Sequence, residues 1–310
     1  MDWLWTSITF LCILIIKMLN KQRASQHKTS IDVKKARKNI LPLNKVVCGD
    51  CEKILQSFPD NSIDLIITSP PYSEKRKNTY GGIRADEYVK WFLPKTKEFY
   101  RVLKPTGTFI LDLKDGSSNG ERNTYTLELV LKLKSEQNWL WTEEFIWHKS
   151  NSFPGKWPNR FRDAWEPCFQ FNKQKDFKMF QDEVMVPIGD WSKSRFKNLS
   201  EEDKRRRESK VNSGLGRKVA NWLNRDKVYP TNVLHMATES SNKNHSAVFP
   251  LPLPMWFIKL FTKKGDIVLD PFMGSGTTGV AAKSLGRNFI GIDVKSEYCK
   301  SAMKRINKST

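Results

Sequence analysis

The sequence contains few of the residues that bind metals or form disulfides. Its 310 residues include 4 histidines and 5 cysteines. An odd number of cysteines without regular spacing argues against a disulfide framework and favours a reducing compartment, such as the cytoplasm. Cys48 and Cys51 form one Cys-x-x-Cys pair, but no second pair or histidine cluster accompanies it. We therefore expect no metal site.

A hydrophobic run long enough to cross a membrane is also lacking. The block from Trp3 to Ile16 is nearly all apolar and is followed by basic residues. A spanning helix needs about 20 apolar residues, and no small-residue cleavage site follows this block. Three interpretations remain open: a marginal anchor, a buried helix, or an extension upstream of a start at Met18. We favour the last two, and no membrane partner is expected.

Acidic residues are in the minority. Lys and Arg number 53 against 33 Asp and Glu, which gives a formal charge of +20 and a pI near 9.7. This surplus favours a polyanionic partner, and the 11 Trp and 18 Phe could stack on bases, so we expect nucleic acid rather than a generally basic surface. Nine Lys or Arg lie in residues 17–45 and twelve in residues 193–227. The first stretch is a disordered tail or a phosphate contact, and the second favours nucleic-acid binding over a solvated loop.

The central feature of the sequence is an apolar strand that runs into two prolines. Leu65–Ile67 is typical of a buried parallel strand, and Pro70 and Pro71 have no N–H to donate, so the strand must end there. Ser69 then stands at the carboxyl end of the strand among carbonyls that are free to accept hydrogen bonds. Tyr72 can lie flat against a planar group. These features predict a pocket that holds an amine.

A second strand, Ile267–Leu269, delivers Asp270 into a turn that contains Gly274 and Gly276. Glycines let the backbone approach a ligand, and the following strand ends in Asp293, 23 residues after Asp270, where an acid can pair with ribose hydroxyls. The pattern predicts a site for a nucleoside-containing cofactor. The loop has no lysine for a β- or γ-phosphate, which disfavours a P-loop. A plain glycine turn is the remaining alternative.

The two motifs together carry a resemblance. Thr68-Ser-Pro-Pro-Tyr72 with Asp270-Pro-Phe-Met-Gly-Ser-Gly-Thr-Thr278 resembles the amino-group DNA methyltransferases that use S-adenosylmethionine. Because the catalytic motif comes first, the chain is similar to their circularly permuted β group, which includes many partners of restriction enzymes. The resemblance covers most of residues 45–308. Within it, the His-x-Ala-x-Phe-Pro pattern of Asn244–Pro250 is similar to the segment that closes over the methionine end of the cofactor.

The resemblance implies a Rossmann-like α/β fold with a seven-stranded, mainly parallel sheet and helices on both faces, in the circularly permuted motif order. Permutation predicts that Lys45–Cys48 supplies a strand beside the one that ends in Asp293. The expected organisation is an apolar and then basic extension (1–44), a catalytic half (45–172), an inserted target-recognition region without core strands (173–243) and a cofactor-binding half (244–310).

The resemblance also implies the site residues. The catalytic residues would be Ser69, Pro70, Pro71 and Tyr72. The cofactor-binding residues would be Asp270, Pro271, Phe272, Gly274, Ser275, Gly276, Thr277, Asp293, Asp50 and Phe249. Two further groups, Trp147-His148-Lys149 and Trp165-Glu166-Pro167, either contact the target base or are ordinary packing residues.

The implied reaction is transfer of a methyl group to a base amine in double-stranded DNA, with the base flipped out of the helix and no covalent enzyme intermediate. In the resembled family, Ser at the first motif position is associated with cytosine N4, and Asp or Asn with adenine N6. The sequence thus favours cytosine N4 and leaves adenine N6 as the alternative. A restriction endonuclease would be a functional partner without a stable complex. A non-catalytic nucleic-acid-binding protein is a more remote alternative, against which the intact motifs argue.

Overall fold

The computed structural model describes residues 40–74, 82–118, 120–152, 154–156, 158–190, 194, 197–201, 226–239 and 249–309. Several predicted features lie outside the described residues. These are the apolar block 3–16, the basic arm up to residue 39, most of the basic stretch 193–227, and residues 244–248 of the segment expected to close over the cofactor.

The described residues form twelve strands and six α-helices. The strands are β1 Lys45–Cys48, β2 Ile63–Thr68, β3 Leu103–Asp112, β4 Ser117–Ser118, β5 Glu121–Arg122, β6 Leu140–Lys149, β7 Trp165–Asn172, β8 Val186–Pro187, β9 Lys227–Val228, β10 Val233–Met236, β11 Ile267–Asp270 and β12 Asn288–Asp293. The helices are α1 Cys51–Leu55, α2 Ala85–Val102, α3 Tyr125–Gln137, α4 Pro252–Phe261, α5 Thr277–Ser284 and α6 Ser296–Lys308, and a 3₁₀ helix covers Gln181–Val184.

One large sheet organises the molecule. Its strand order is β1-β12-β11-β2-β3-β7-β6-β10. All neighbouring pairs are parallel except the two that involve β7, which runs antiparallel to β3 and β6. Helices α1–α3 pack on one face and α4–α6 on the other. The predicted α/β architecture, with a mainly parallel sheet and helices on both faces, is confirmed.

The number of strands differs from the prediction. The sheet has eight strands rather than seven, and the additional one is β10, which pairs in parallel with β6 at the sheet edge. β10 lies within 173–243, where no core strand was expected. Its four residues alternate in burial, and only Leu234 is fully buried. Such a short edge strand has too little apolar sequence to be recognised without its partner. The limits of the inserted region stay a prediction.

The burial pattern explains why the centre of the sheet was readable from the sequence. All six residues of β2 are buried, because helices cover both faces of this central strand. α2 continues unbroken past Pro94, which lies inside the helix. None of the helices in the described ranges combines the length and apolar character of a membrane span.

The permuted chain order places its two motifs side by side. β2 is the parallel neighbour of β11, with Leu65 opposite Val268 and Ile66 opposite Leu269. On the other side of β11, β12 pairs with β1 over Lys45–Cys48, as predicted. The chain leaves β11 toward β12 and leaves β2 toward β3, so a crevice opens at their carboxyl ends, the position where open α/β sheets bind ligands.

Candidate active site

A buried hydrogen bond joins the two motifs. The Thr68 hydroxyl donates to Asp270 Oδ1 over 2.7 Å, although the two residues are 202 positions apart in the sequence. The same carboxylate accepts from the Thr278 hydroxyl at 2.6 Å and from the backbone N–H of Phe272 at 3.0 Å. Asp270 therefore connects β2, the glycine loop and helix α5.

The Asp270 carboxyl is strongly desolvated. It is 2% exposed. Burial raises its pKa from 3.8 to about 6, even though the hydrogen bonds from Thr278, Thr68 and Phe272 act in the opposite direction. Its contacts within the protein make it a structural brace of the loop. Its contact with the cofactor stays a prediction.

The glycine loop has the conformation that the sequence predicts. Gly274 and Gly276 have φ angles of +51° and +86°, in the left-handed region that favours glycine. A Cβ on Gly276 would also lie 3.0 Å from the Cβ of Ala302 in α6. The Gly274 N–H donates to Asp293 Oδ2 at 2.9 Å. The end of β12 therefore holds the loop in place.

The other predicted cofactor residues surround this loop. Asp293 is buried and also accepts from the Lys295 N–H through Oδ1. Asp50 lies beyond the end of β1 and caps helix α1 by accepting from the Glu52 N–H at 2.8 Å. Phe272 packs near Trp91 and Phe92.

The arrangement fits a nucleoside-containing cofactor. At Gly274 the loop has room beside its backbone, because a Cβ there would have the Phe272 carbonyl oxygen at 3.9 Å as its nearest neighbour, and the Asp293 carboxylate accepts from the Gly274 N–H. Pro271 is buried, and Phe249 is half-buried against the core cluster that contains α4. In the described ranges, no group of three or more His, Cys, Asp or Glu residues is arranged as a metal site.

The motif Ser69–Tyr72 follows β2, the direct neighbour of the strand that leads into the glycine loop. Ser69 and Tyr72 are half-buried at the end of β2. The Tyr88 hydroxyl donates to the Pro71 carbonyl over 2.9 Å. The Pro71 carbonyl is thus already engaged within the protein. The role of Ser69 and of the Pro70 carbonyl in holding an amine stays a prediction.

Tyr72 is part of a polar network. Its hydroxyl donates to Glu166 Oε2, and Lys149 donates to Oε1 of the same carboxylate. Ser69 Oγ lies 3.5 Å from the Tyr72 hydroxyl. Burial, with the charges of Asp112 and Glu166, raises the pKa of Tyr72 well above its ordinary value. The phenol therefore stays protonated and acts as a hydrogen-bond donor.

Asp112 completes the network and was not singled out from the sequence. It ends β3, is 3% exposed, and its Oδ1 receives no hydrogen bond from the described residues. Burial and the nearby charge of Glu166 raise its pKa well above the ordinary value, and it also interacts with the Ser69 hydroxyl. An acid at the end of an apolar strand was a signal for this residue, of the same kind as Asp270.

The residues of the two further groups, Trp147-His148-Lys149 and Trp165-Glu166-Pro167, make different kinds of contact. Lys149 and Glu166 join the Tyr72 network, whereas Trp147 is 4% exposed and donates to the Met236 carbonyl as a packing residue. His148 points to the opposite face of the sheet from Lys149, and its Nδ1 lies 3.1 Å from Nδ1 of His235 on β10.

Cys168 follows Pro167, and a cysteine preceded by proline is the nucleophile that methylation at a third position, cytosine C5, would need. The thiol is completely buried. Burial, with the charges of Asp112 and Glu166, raises its pKa well above 9.0. A neutral, inaccessible thiol cannot act as that nucleophile.

Comparison with known proteins agrees with this geometry. A family model described as "DNA methylase" matches residues 63–304. The chain belongs to this DNA methylase family. The methylase is 32% identical over 272 residues to the type II methyltransferase M.PvuII of Proteus hauseri, a match that covers 81% of this chain and 80% of the relative. It is 30% identical over 264 residues to M.BglII of Bacillus subtilis, with 83% and 67% covered.

Solved structures give the same result. The PvuII DNA methyltransferase, described as cytosine-N4-specific, superposes with a TM-score of 0.63 at 26% identity and covers 85% of the methylase and 90% of its own chain. The Thermus thermophilus protein TTHA0409, solved in complex with S-adenosyl-L-methionine, gives 0.57 at 23% identity, with 86% and 93% covered. The second similarity concerns the fold alone.

The methylase has one further positioning residue that no sequence pattern indicated. Arg305 on α6 donates to the Ser275 and Thr277 hydroxyls, each at 3.0 Å. These two hydroxyls, predicted to contact the cofactor, are therefore held by the last helix. Arg305 is one of many basic residues on that helix, and only the packing of α6 against the loop distinguishes it.

Proposed function

We propose that this methylase transfers the methyl group of S-adenosylmethionine to the exocyclic N4 of cytosine at a specific sequence in duplex DNA. The observation that carries the proposal is the serine at the head of the catalytic motif, beside a carboxyl network and opposite a glycine loop. The relative whose structure is described as cytosine-N4-specific supports the choice of base.

The chain's residues define how the donor would be held. Gly274 and Gly276 let the loop backbone approach it, Asp293 and Asp50 present carboxylates at the ends of β12 and β1, and Phe272 supplies an apolar surface. S-adenosylmethionine supplies a sulfonium methyl group, which is open to attack by a nitrogen lone pair.

The pocket at Ser69 must make a weak nucleophile reactive. The lone pair of an exocyclic amine is delocalised into the ring, so acceptors that hold both N–H groups favour tetrahedral nitrogen. Ser69 Oγ and the Pro70 carbonyl serve as these acceptors. The proton of Ser69 faces the Tyr72 hydroxyl and Asp112, and Tyr72 in turn donates to Glu166. Because hydrogen-bonded chains polarise one another, the carboxyl network makes Ser69 a stronger acceptor than an isolated hydroxyl.

The target amine cannot be reached inside a duplex, so the base is flipped into the pocket and stacks on Tyr72. The hydrogen bond to Glu166 fixes the Tyr72 ring before the base arrives. The methyl group then moves directly from sulfur to nitrogen in line, and orientation supplies most of the acceleration. The proton of the methylated amine leaves to solvent.

Adenine N6 is the second candidate because the matching family includes both N6 and N4 enzymes. The relatives named as type II methyltransferases support protection of DNA from a cognate restriction endonuclease as the biological role. We infer that the two enzymes pair in function without a stable complex, in the cytoplasm where the DNA is.

Mapping the methylated bases tests the proposal. DNA from cells that express the methylase would be sequenced for modified positions and digested to nucleosides for mass analysis. We expect N4-methylcytosine at one short sequence. Finding N6-methyladenine instead would support adenine N6, rather than cytosine N4, as the target. Absence of both cofactor binding and methyl transfer would favour a non-catalytic DNA-binding protein.

A further inference from the structure

The loop between β6 and β7 carries an exposed aromatic ring. Phe161 is 94% exposed and stands between Arg160 and Arg162. Trp165, four residues later, is 43% exposed. Aromatic side chains interleaved with basic ones form the surfaces on which nucleic-acid bases stack.

The described part of this loop is anchored at its base. The Lys149 N–H donates to the Ala164 carbonyl over 2.7 Å, and Arg162 Nη1 donates to the Ser152 carbonyl over 3.2 Å. Lys114 donates to the Trp165 carbonyl and lies 4.1 Å from the centroid of the Trp165 ring. The loop is therefore held in place while Phe161 projects from it.

The charge around the loop matches a phosphate backbone. Asp163 pairs with Lys114 at 3.1 Å, with Arg122 at 3.0 Å and with Arg160 at 3.4 Å. One carboxylate thus faces three cations, which leaves a positive surplus beside the exposed ring. Such a surplus attracts nucleic acid, and salt weakens this attraction.

The loop arises beside the target pocket. β6 ends at Lys149, and Glu166 is the second residue of β7; both belong to the Tyr72 network. Phe161 is five residues from Glu166, and five residues span at most about 17 Å. The exposed ring therefore lies within about 17 Å of the Tyr72 network.

We propose that Phe161 inserts into the base stack beside the target and fills the space that the flipped base leaves, while Arg160 and Arg162 contact the flanking phosphates. Apolar side chains act as wedges of this kind in other DNA-binding proteins. The inference rests on the proposed function, because it requires a base to leave the duplex.

A Phe161→Ala variant tests the proposal on two duplexes that contain the mapped site. In one duplex the target base is paired, and in the other it faces an abasic position. We expect the variant to lose about 5- to 100-fold in kcat/KM on the paired duplex. On the duplex with the abasic position, where the target is already unpaired, it should stay within about twofold of the parent protein. S-adenosylmethionine affinity, measured by calorimetry, should not change.

Leu131→Ala is the matched control, because Leu131 is a large apolar residue, 62% exposed, on helix α3. It should behave as the parent protein on both duplexes. Full activity of Phe161→Ala on the paired duplex would overturn the inference, and so would an equal loss on both duplexes, which would indicate a structural role. Either result leaves the proposed function standing. A parent protein that methylates neither duplex would overturn both.

Discussion

The two sides of the crevice treat their buried acids differently. On the cofactor side, Asp270 accepts from two threonine hydroxyls and one backbone N–H, and Asp293 accepts from the N–H groups of Gly274 and Lys295. On the target side, Asp112 and Glu166 lie close together with Lys149 as their cation, and Asp112 Oδ1 has no partner among the described residues.

This difference separates shape from reactivity. Carboxylates that are saturated by neutral donors hold a backbone in one geometry, as the glycine loop requires. Carboxyls that share a site are costly to leave incompletely paired, and such groups occur where chemistry is carried out. We therefore predict that the side around Asp270 is preformed for the cofactor, and that the side around Asp112 is completed only when a target base binds.

The largest effect is expected on the target side. Ser69→Ala removes the acceptor for the amine and should lower kcat by about 10²- to 10³-fold, as loss of one preorganised polar group does in other enzymes. S-adenosylmethionine affinity should stay the same, because the cofactor loop is separate. Single-turnover methylation and calorimetry measure the two quantities. Ser301→Ala, on an exposed turn of α6, is the control, and full activity of Ser69→Ala would contradict the proposed role.

A pH effect is expected on the cofactor side. The pKa of Asp270 is about 6 in the folded protein against an ordinary 3.8. The folded state therefore binds a proton more tightly than the unfolded chain, and this stabilisation is complete below about pH 4 and is lost as the pH rises through about 6. The loss corresponds to about 3 kcal/mol in the free energy of unfolding. Urea titrations between about pH 4 and pH 6 give the free energy of unfolding of the parent protein and of Asp270→Asn. With rising pH, the parent protein should lose stability relative to the variant. Free energies that depend on pH in the same way in both proteins would disprove the assignment.

A smaller effect on kcat is expected from a change in the polar network that contacts Ser69. Glu166→Gln keeps the shape but removes the charge that Tyr72 and Lys149 face. It should lower kcat by about fivefold, since hydrogen bonds to charged groups exceed neutral ones by about 1 kcal/mol. The KM for S-adenosylmethionine should not change. Glu136→Gln on α3, whose carboxylate pairs with Lys132 at the surface, is the control. A rise in the KM for the cofactor with unchanged kcat would indicate that Glu166 contributes to cofactor binding, and would contradict its assignment to the target side.

Sequence patterns were sufficient where a local rule applies. Pro70 and Pro71 end a strand because they lack N–H groups, and Gly274 and Gly276 adopt positive φ without a steric penalty, so both motifs could be located without a structure. The parallel partners β1 and β12 followed from the permuted order. The roles of the predicted site residues toward cofactor and base stay predictions.

Other features depended on partners far along the chain. β10 forms a strand because its backbone pairs with the edge of β6. Its own four residues carry little strand signal. Arg305 resembles many other basic residues in the sequence, and it becomes distinctive only when α6 packs against the glycine loop. Asp112 had a strand-end signal like that of Asp270, but its place in the network depends on β3 ending beside β7.

The sequence by itself determined two strand-end motifs, their order and the kind of sheet that joins them, because each depends on backbone chemistry within a few residues. Only the tertiary structure decided that Thr68 donates to Asp270 and that Tyr72, Glu166, Lys149 and Asp112 form one network. Charges and hydrogen bonds act over a few ångströms in space, and residues up to 202 positions apart reach that distance only after the sheet has formed.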